Sequence, residues 1–362
     1  MHAPSRSTVL TAAAILLFAR VAAAQGANER PDVKIDGRAR TEAITNLAKE
    51  VEANYPVAAL GRTTANELRK RLRQNHFPET SAKALAGKLT DELRSLTGDQ
   101  HFFVDYFVTA RTFPPVSTVA DPVSEADRTL TLRLRNFGFA RVERLAGNVG
   151  YLKLDRFETP AVAGETAAAA MQFLAGTEAL IIDLTENGGG YSSMVSLLAS
   201  YFFRDPVHLS DISGRNVEDL RQNWTYAFVP GPRYVDKPVY ILSGARTFSA
   251  AEAFAYDLQA QKRAIIIGER SRGGVSPSAR LLVSSRFGVI MPTSRVRNPV
   301  TGTNWEGGLK PDVASSAARA RQVAHLAALE TIAPRHKDDP LTSEIAEAIA
   351  RLRNEVATAA DK

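Results

Sequence analysis

Three short apolar runs constrain this chain more than any other feature. Residues 179–184 (ALIIDL), 238–242 (PVYIL) and 264–267 (AIII) are too short for helices and do not alternate as a strand half-exposed to water would. Runs of this kind read as strands buried on both faces, the habit of parallel sheets. Helical patterns follow the first two, one running to Phe203 and one over about 249–261. Alternating buried strands and helices imply a layered α/β core with mainly parallel strands. A strand at 149–154 and a helix at 161–174 lead into it. A hairpin over about 280–291 and helices at 314–329 and 341–352 follow.

Ahead of the core, Ile44, Leu47, Val51 and Tyr55 recur at helical spacing, as do Leu68 and Leu72, then Leu85, Leu89 and Leu93. Pro56 and Pro78 punctuate them. A small helical N-terminal module over 38–98 is expected, then connecting strands and loop over 99–145, the core over 146–315 and C-terminal helices over 316–362. Within the connection, residues 101–108 read as a strand. Residues 130–134 read as an exposed strand, because leucines alternate with polar residues.

Residues 1–24 read as a signal peptide. Arg6 supplies the positive start, residues 9–18 the apolar run, and Ala22, Ala23 and Ala24 the small-residue cleavage site. No later stretch approaches ~18 consecutive apolar residues, so no membrane span is expected after cleavage. A periplasmic or secreted protein follows from this reading.

Composition narrows the chemistry. The 362 residues hold no cysteine, which excludes disulfides and a thiol nucleophile. The net charge of +6 is mild and no dense Lys/Arg run occurs, so a nucleic-acid partner is not expected. Histidines 2, 76, 101, 208, 325 and 336 are scattered singly, without metal-ligand spacing. No metal and no organic cofactor are expected.

Three stretches carry candidate chemistry. In Ser243-Gly244-Ala245-Arg246-Thr247-Phe248-Ser249-Ala250-Ala251-Glu252, a buried strand turns into a helix with Ser249 at its start. The helix N-terminus favours a developing negative charge there. Ser249 and Glu252 also form a Ser-x-x-Glu capping box, which any helix can use. Asn187-Gly188-Gly189-Gly190 follows another buried strand and lets backbone approach a ligand closely, or simply turns the chain. Asn304-Trp305-Glu306-Gly307-Gly308-Leu309-Lys310-Pro311-Asp312 is a loop with a charged residue.

Together with Asp99-Gln100-His101 and Gly268-Glu269, these motifs resemble the C-terminal-processing (tail-specific) serine peptidases. Their relatives are the tricorn protease core and interphotoreceptor retinoid-binding protein. The resemblance covers roughly 40–315, with the motifs in family order. It implies a crotonase-like ββα core with a helical N-terminal module, closest to the retinoid-binding-protein-like branch. Residues 109–146 are too few for the PDZ domain that processing peptidases usually carry. Their lysine general base would fall on Gly274, so a Ser–Lys dyad is absent. The tricorn-like alternative implies Ser249 as nucleophile, His101 as base and Glu306 as its orienting carboxylate. Backbone N–H groups of Gly189 and Ala250 would form the oxyanion hole. The expected function is an exported serine peptidase-like hydrolase acting on a peptide or protein substrate. The alternatives are a binding protein for an apolar ligand such as a retinoid or fatty acid, or an esterase.

Overall fold

In the computed structural model, which describes residues 31–111, 125–215 and 220–358, the buried runs form the centre of a six-stranded sheet. Its strands are β2 (Phe139–Leu145), β3 (Val149–Leu154), β4 (Ala179–Asp183), β7 (Val239–Ser243), β8 (Ile265–Gly268) and β12 (Val313–Ala314). The spatial order is β12-β8-β7-β4-β3-β2. Neighbours from β3 to β12 are parallel, and β2 closes the edge antiparallel to β3.

Every residue of β4 and β7 is buried because both faces of the sheet are covered. Successive side chains leave a strand on opposite faces. Leu180 and Ile182, with Val239 and Ile241, meet helices α5 (Pro160–Leu174), α6 (Ser192–Ser200) and α7 (Ala250–Ala260). Ile181, Tyr240 and Leu242 meet α8 (Ala317–Ile332) and α9 (Thr342–Thr358) on the other face. Small residues Ala320, Ala324 and Ala328 line the inward stripe of α8, which lets that helix lie close to the sheet.

The N-terminal module comprises α1 (Gly37–Asn54), α2 (Ala58–Arg73) and α3 (Ala82–Thr97). Asp36 caps α1 by accepting from Ala39 N at 2.7 Å, Ser81 caps α3 at 3.1 Å, and Gly98 ends α3 in the left-handed conformation. The module shares a core with an antiparallel sheet of order β1-β10-β9, built from β1 (Phe103–Tyr106), β9 (Ser278–Ser284) and β10 (Phe287–Pro292). Phe103 lies opposite Ile290, and Tyr106 opposite Phe287. This pairing ties the segment after α3 to a hairpin of the α/β core.

Two features depart from the expected elements. Residues Glu125–Leu134 form helix α4, not an exposed strand over 130–134. Leu130 and Leu134 are exposed, so the alternation never reported a face packed on a core. A further antiparallel sheet, β11 (Arg295–Arg297), β5 (His208–Ser213) and β6 (Arg221–Trp224) in that order, has no counterpart in the sequence reading. Its strands are short and largely polar and carry no hydrophobic period. The expected signal peptide over 1–24 lies outside the described residues. Among the described residues no helix is long and apolar enough to cross a membrane.

His325 on α8 is buried and its Nε2 contacts Ala146 O at 2.9 Å. Burial holds its pKa below the ordinary 6.5, helped by the charges of Arg351 and Arg321 and opposed by the Ala146 bond. The unfolded chain therefore takes up this proton first as pH falls. The stability contribution is present above about 6.5 and is lost as pH drops through the folded-state value. Melting temperature against pH should fall more steeply below pH 6.5 for the parent protein than for His325→Gln; parallel curves would contradict this.

Candidate active site

Ser249 sits between β7 and α7 with φ 55° and ψ −119°, a backbone conformation rarely tolerated outside glycine. The surrounding turns impose it. Thr247 Oγ1 donates to Leu184 O at 2.8 Å and accepts from Gly244 N at 2.9 Å. Phe248 N donates to Asn187 O at 3.0 Å, locking the β7 turn to the β4 turn. Gly189 packs directly under Ser249: a Cβ there would lie 2.8 Å from the Ser249 Cβ and 2.8 Å from Phe248 O, and its φ is +100°. Only glycine fits.

The Glu252 carboxylate holds the arrangement together. It is fully buried on the first turn of α7. Oε2 accepts from Ser249 N at 2.7 Å and Gly274 N at 2.7 Å; Oε1 accepts from Gly273 N at 2.6 Å and from the Ser271 hydroxyl. Burial pushes its pKa up, against the lowering effect of these four donors. The Ser249 hydroxyl faces the Glu252 amide only loosely, with no well-formed cap hydrogen bond. The box therefore engages the Ser249 Oγ only as an acceptor and leaves its hydrogen free for a base to take.

His101 lies in the turn between α3 and β1. Asp99 Oδ1 accepts from His101 N at 2.9 Å and contacts ring Nδ1 at 3.1 Å. A hydrogen on Nδ1 satisfies that carboxylate, and this tautomer leaves Nε2 as an acceptor. The His101 side chain is only 8% exposed, and Nε2 is buried without a partner among the described residues. The imidazole packs on Phe248, with ring centroids 4.7 Å apart, beside the Ser249 peptide. The β1–β10 pairing delivers it there.

Glu306 is exposed, and its backbone N–H donates to Asn304 Oδ1 at 2.8 Å. The carboxylate in contact with the imidazole is that of Asp99, not Glu306. Glu306 instead lines a cavity of about 570 Å³ with Tyr55, Asp99, Gln100, Arg272 and Arg295. Its loop is well fixed. Buried Asn298 donates to Asp257 Oδ1 at 2.9 Å and Leu209 O at 3.0 Å, and Trp305 Nε1 donates to Gly274 O at 2.7 Å.

The two expected oxyanion donors differ. Ala250 N–H, the first of α7, has no acceptor among the described residues. Gly189 N–H already donates to Asn187 Oδ1 at 2.8 Å. Gly274, where the resemblance puts a lysine, has no room for a side chain while the Phe248 ring holds its position, because a Cβ there would run into that ring. Among the described residues no cluster of His, Asp and Glu could hold a metal ion. Asp99 and the clamp role of Glu252 were the residues missed in the sequence. Both stood inside motifs, but their roles depend on contacts that spacing does not show.

Glu252→Gln turns an acceptor shared by three backbone N–H groups into one that presents its own donor to them. The variant should lose about 2–4 kcal/mol of stability by denaturant titration, the scale of broken charge-assisted hydrogen bonds in a buried site. An unchanged midpoint would contradict the clamp role.

Comparison with known proteins places these features. Residues 148–315 match the peptidase family S41 model, and residues 37–131 match the N-terminal domain of peptidase S41 in eukaryotic IRBP. A carboxyl-terminal-processing protease of Synechocystis is 24% identical over 165 residues, covering 46% of this chain and 37% of that protein. A photosystem II D1 C-terminal processing protease of known structure is 24% identical, with TM-score 0.38, covering 47% of this chain and 42% of its own. This chain thus spans less than half the length of either protease. A lipoprotein of Streptococcus agalactiae has the same fold with TM-score 0.52 at 13% identity, covering 83% of this chain and 99% of its own. With the S41 N-terminal domain and the S41 core matched in order, and the motif serine, glycines and histidine gathered at one place, the chain belongs to peptidase family S41.

Proposed function

We propose that this protein is a serine peptidase that cleaves peptide bonds through an acyl-enzyme, with Ser249 as nucleophile and His101 as general base. The observation that carries the reading is the orphaned Nε2 of His101, buried beside the Ser249 turn while Asp99 holds the opposite ring nitrogen. A hydroxyl is a poor nucleophile until a base takes its proton. An imidazole whose Nδ1 hydrogen is held by a carboxylate is suited to that step and to stabilising the imidazolium that follows.

In the proposed reaction the Ser249 hydroxyl attacks the scissile carbonyl as its proton passes to His101 Nε2. The developing oxyanion is met by Ala250 N–H at the start of α7, where the helix dipole adds to the field. Gly189 N–H is the second donor only if it leaves Asn187 Oδ1 as substrate binds. His101 then protonates the leaving amine, and water hydrolyses the acyl-enzyme by the same steps reversed. Asp99 takes the orienting role that the resemblance suggests for Glu306. Glu306 faces the neighbouring cavity, where it is placed to meet substrate.

Export belongs to this reading too. It includes removal of residues 1–24 and rests on the charge, apolar and small-residue order of that segment. A retinoid or fatty acid has little support, because Asp99, Gln100, Arg272, Arg295, Arg297 and Glu306 make the wall of the cavity polar. An esterase would use the same groups, and matched peptide and ester substrates separate the two.

Kinetics of single and double variants test the assignment. Ser249→Ala and His101→Ala should each lower kcat by about 100-fold or more, and the double variant should be no slower than the worse single. Asp99→Asn should cost more than Glu306→Gln. A double variant far slower than both singles would show that the two residues do not act as one unit. A larger loss from Glu306→Gln would return the orienting role to that residue.

A further inference from the structure

The cavity beside the serine turn carries an unbalanced positive wall. Arg272, Arg295 and Arg297 line it and are exposed. Among the described residues none of the three makes an ion pair or a side-chain hydrogen bond, although arginine usually finds a carboxylate when one is near. Arg272 lies over the Phe248 ring at 5.0 Å, on the residue next to Ser249. Its backbone N–H donates to Thr247 O at 3.1 Å, so its position is tied to the serine turn. Arg295 and Arg297 are both exposed while Val296 between them is buried, so they leave strand β11 on the same side.

The opposing charges offset this wall only in part, because Asp99 and Glu306 stand against three arginines. Asp99 Oδ1 is committed to the backbone and ring of His101, and Glu306 makes no ion pair among the described residues. Arg94, in the last turn of α3, has its pKa lowered first by burial and then by repulsion from Arg272, with Asp91 a weaker counterweight. Guanidinium groups close enough to repel one another are where an incoming anion is most favoured. The planar fork of arginine suits a carboxylate, which it can bind through two parallel N–H donors.

We propose that this wall is a specificity subsite that binds the acidic side chain of a peptide, an Asp or Glu lying within a few residues of the scissile bond. The proposal deepens the peptidase reading, resting on it for the identity of the ligand as a peptide. The arginines need not touch the reacting atoms. They select which peptides rest over Ser249, and as partly solvated charges their effect weakens with salt.

Binding is measured on full-length Ser249→Ala protein, which separates recognition from turnover. Fluorescence anisotropy compares a Glu-containing peptide, amidated at its C-terminus, with its Gln isostere and with the Gln peptide bearing a free C-terminal carboxylate. The expected result is about tenfold tighter binding of the amidated Glu peptide than of the Gln isostere at low salt, shrinking severalfold by about 0.5 M salt. In Ser249→Ala/Arg295→Gln/Arg297→Gln the ratio should fall toward one. The salt series on the protein with its arginines intact gives an answer even if that variant does not fold. Equal binding of the Glu and Gln peptides, a preference that survives both salt and arginine removal, or binding only of the free-carboxylate peptide would each overturn the proposal. Cleavage of the same peptides by the unaltered protein keeps the two claims apart. An acidic preference without any cleavage leaves the subsite standing and the peptidase reading fallen; cleavage without the preference does the reverse.

Discussion

Much of the site depends on a single buried carboxylate. Glu252 accepts from Ser249 N, Gly273 N, Gly274 N and the Ser271 hydroxyl, and so joins the start of α7 to the loop after β8. Burying a carboxylate is unfavourable unless its oxygens are satisfied, and here four donors satisfy them. The same bonds hold Ser249 in its strained conformation, which a helix cap alone does not require. Capping and chemistry are thus not rival accounts of this motif. The glutamate caps the helix through the serine's backbone and leaves the hydroxyl available.

A second constraint joins two distant parts of the chain. The proposed base, His101, lies before the α/β core in sequence and the proposed nucleophile, Ser249, deep inside it. His101 reaches Phe248, the residue before Ser249, because β1 pairs with β10, so a hairpin of the core carries the segment after α3 to the serine turn. Phe248 is the contact point. Its ring packs on His101, stands under Arg272 and fills the space where a side chain at Gly274 would go. A lysine at 274 would displace the Phe248 ring from that packing, which supports the proposed histidine arrangement.

The parallel sheet was legible because ALIID in β4 and VYIL in β7 are apolar on both faces and can only be central strands. The three N-terminal helices were legible from leucine spacing. The β5–β6–β11 sheet was not, because strands such as RQNW and RVR carry no apolar period and are defined by pairing with distant segments. Within the site, Ser249, His101 and the glycine turns were visible as motif residues. The partner of His101 was not, because the motif order points to Glu306 and only the fold shows that the Asp99 carboxylate reaches Nδ1. The occupied N–H of Gly189 is likewise a tertiary fact, set by the Asn187 side chain folding back on its own turn.

In the proposed site the Ser249 hydroxyl is an activated nucleophile served by Nε2 of His101. The most direct measurement is a fluorophosphonate probe applied to the purified protein, with the adduct located by mass spectrometry after digestion. A single adduct is expected on the peptide containing Ser249 in the native protein, absent after unfolding and strongly reduced in His101→Ala. No adduct on folded protein, or labelling at another serine that is indifferent to His101, would contradict this assignment.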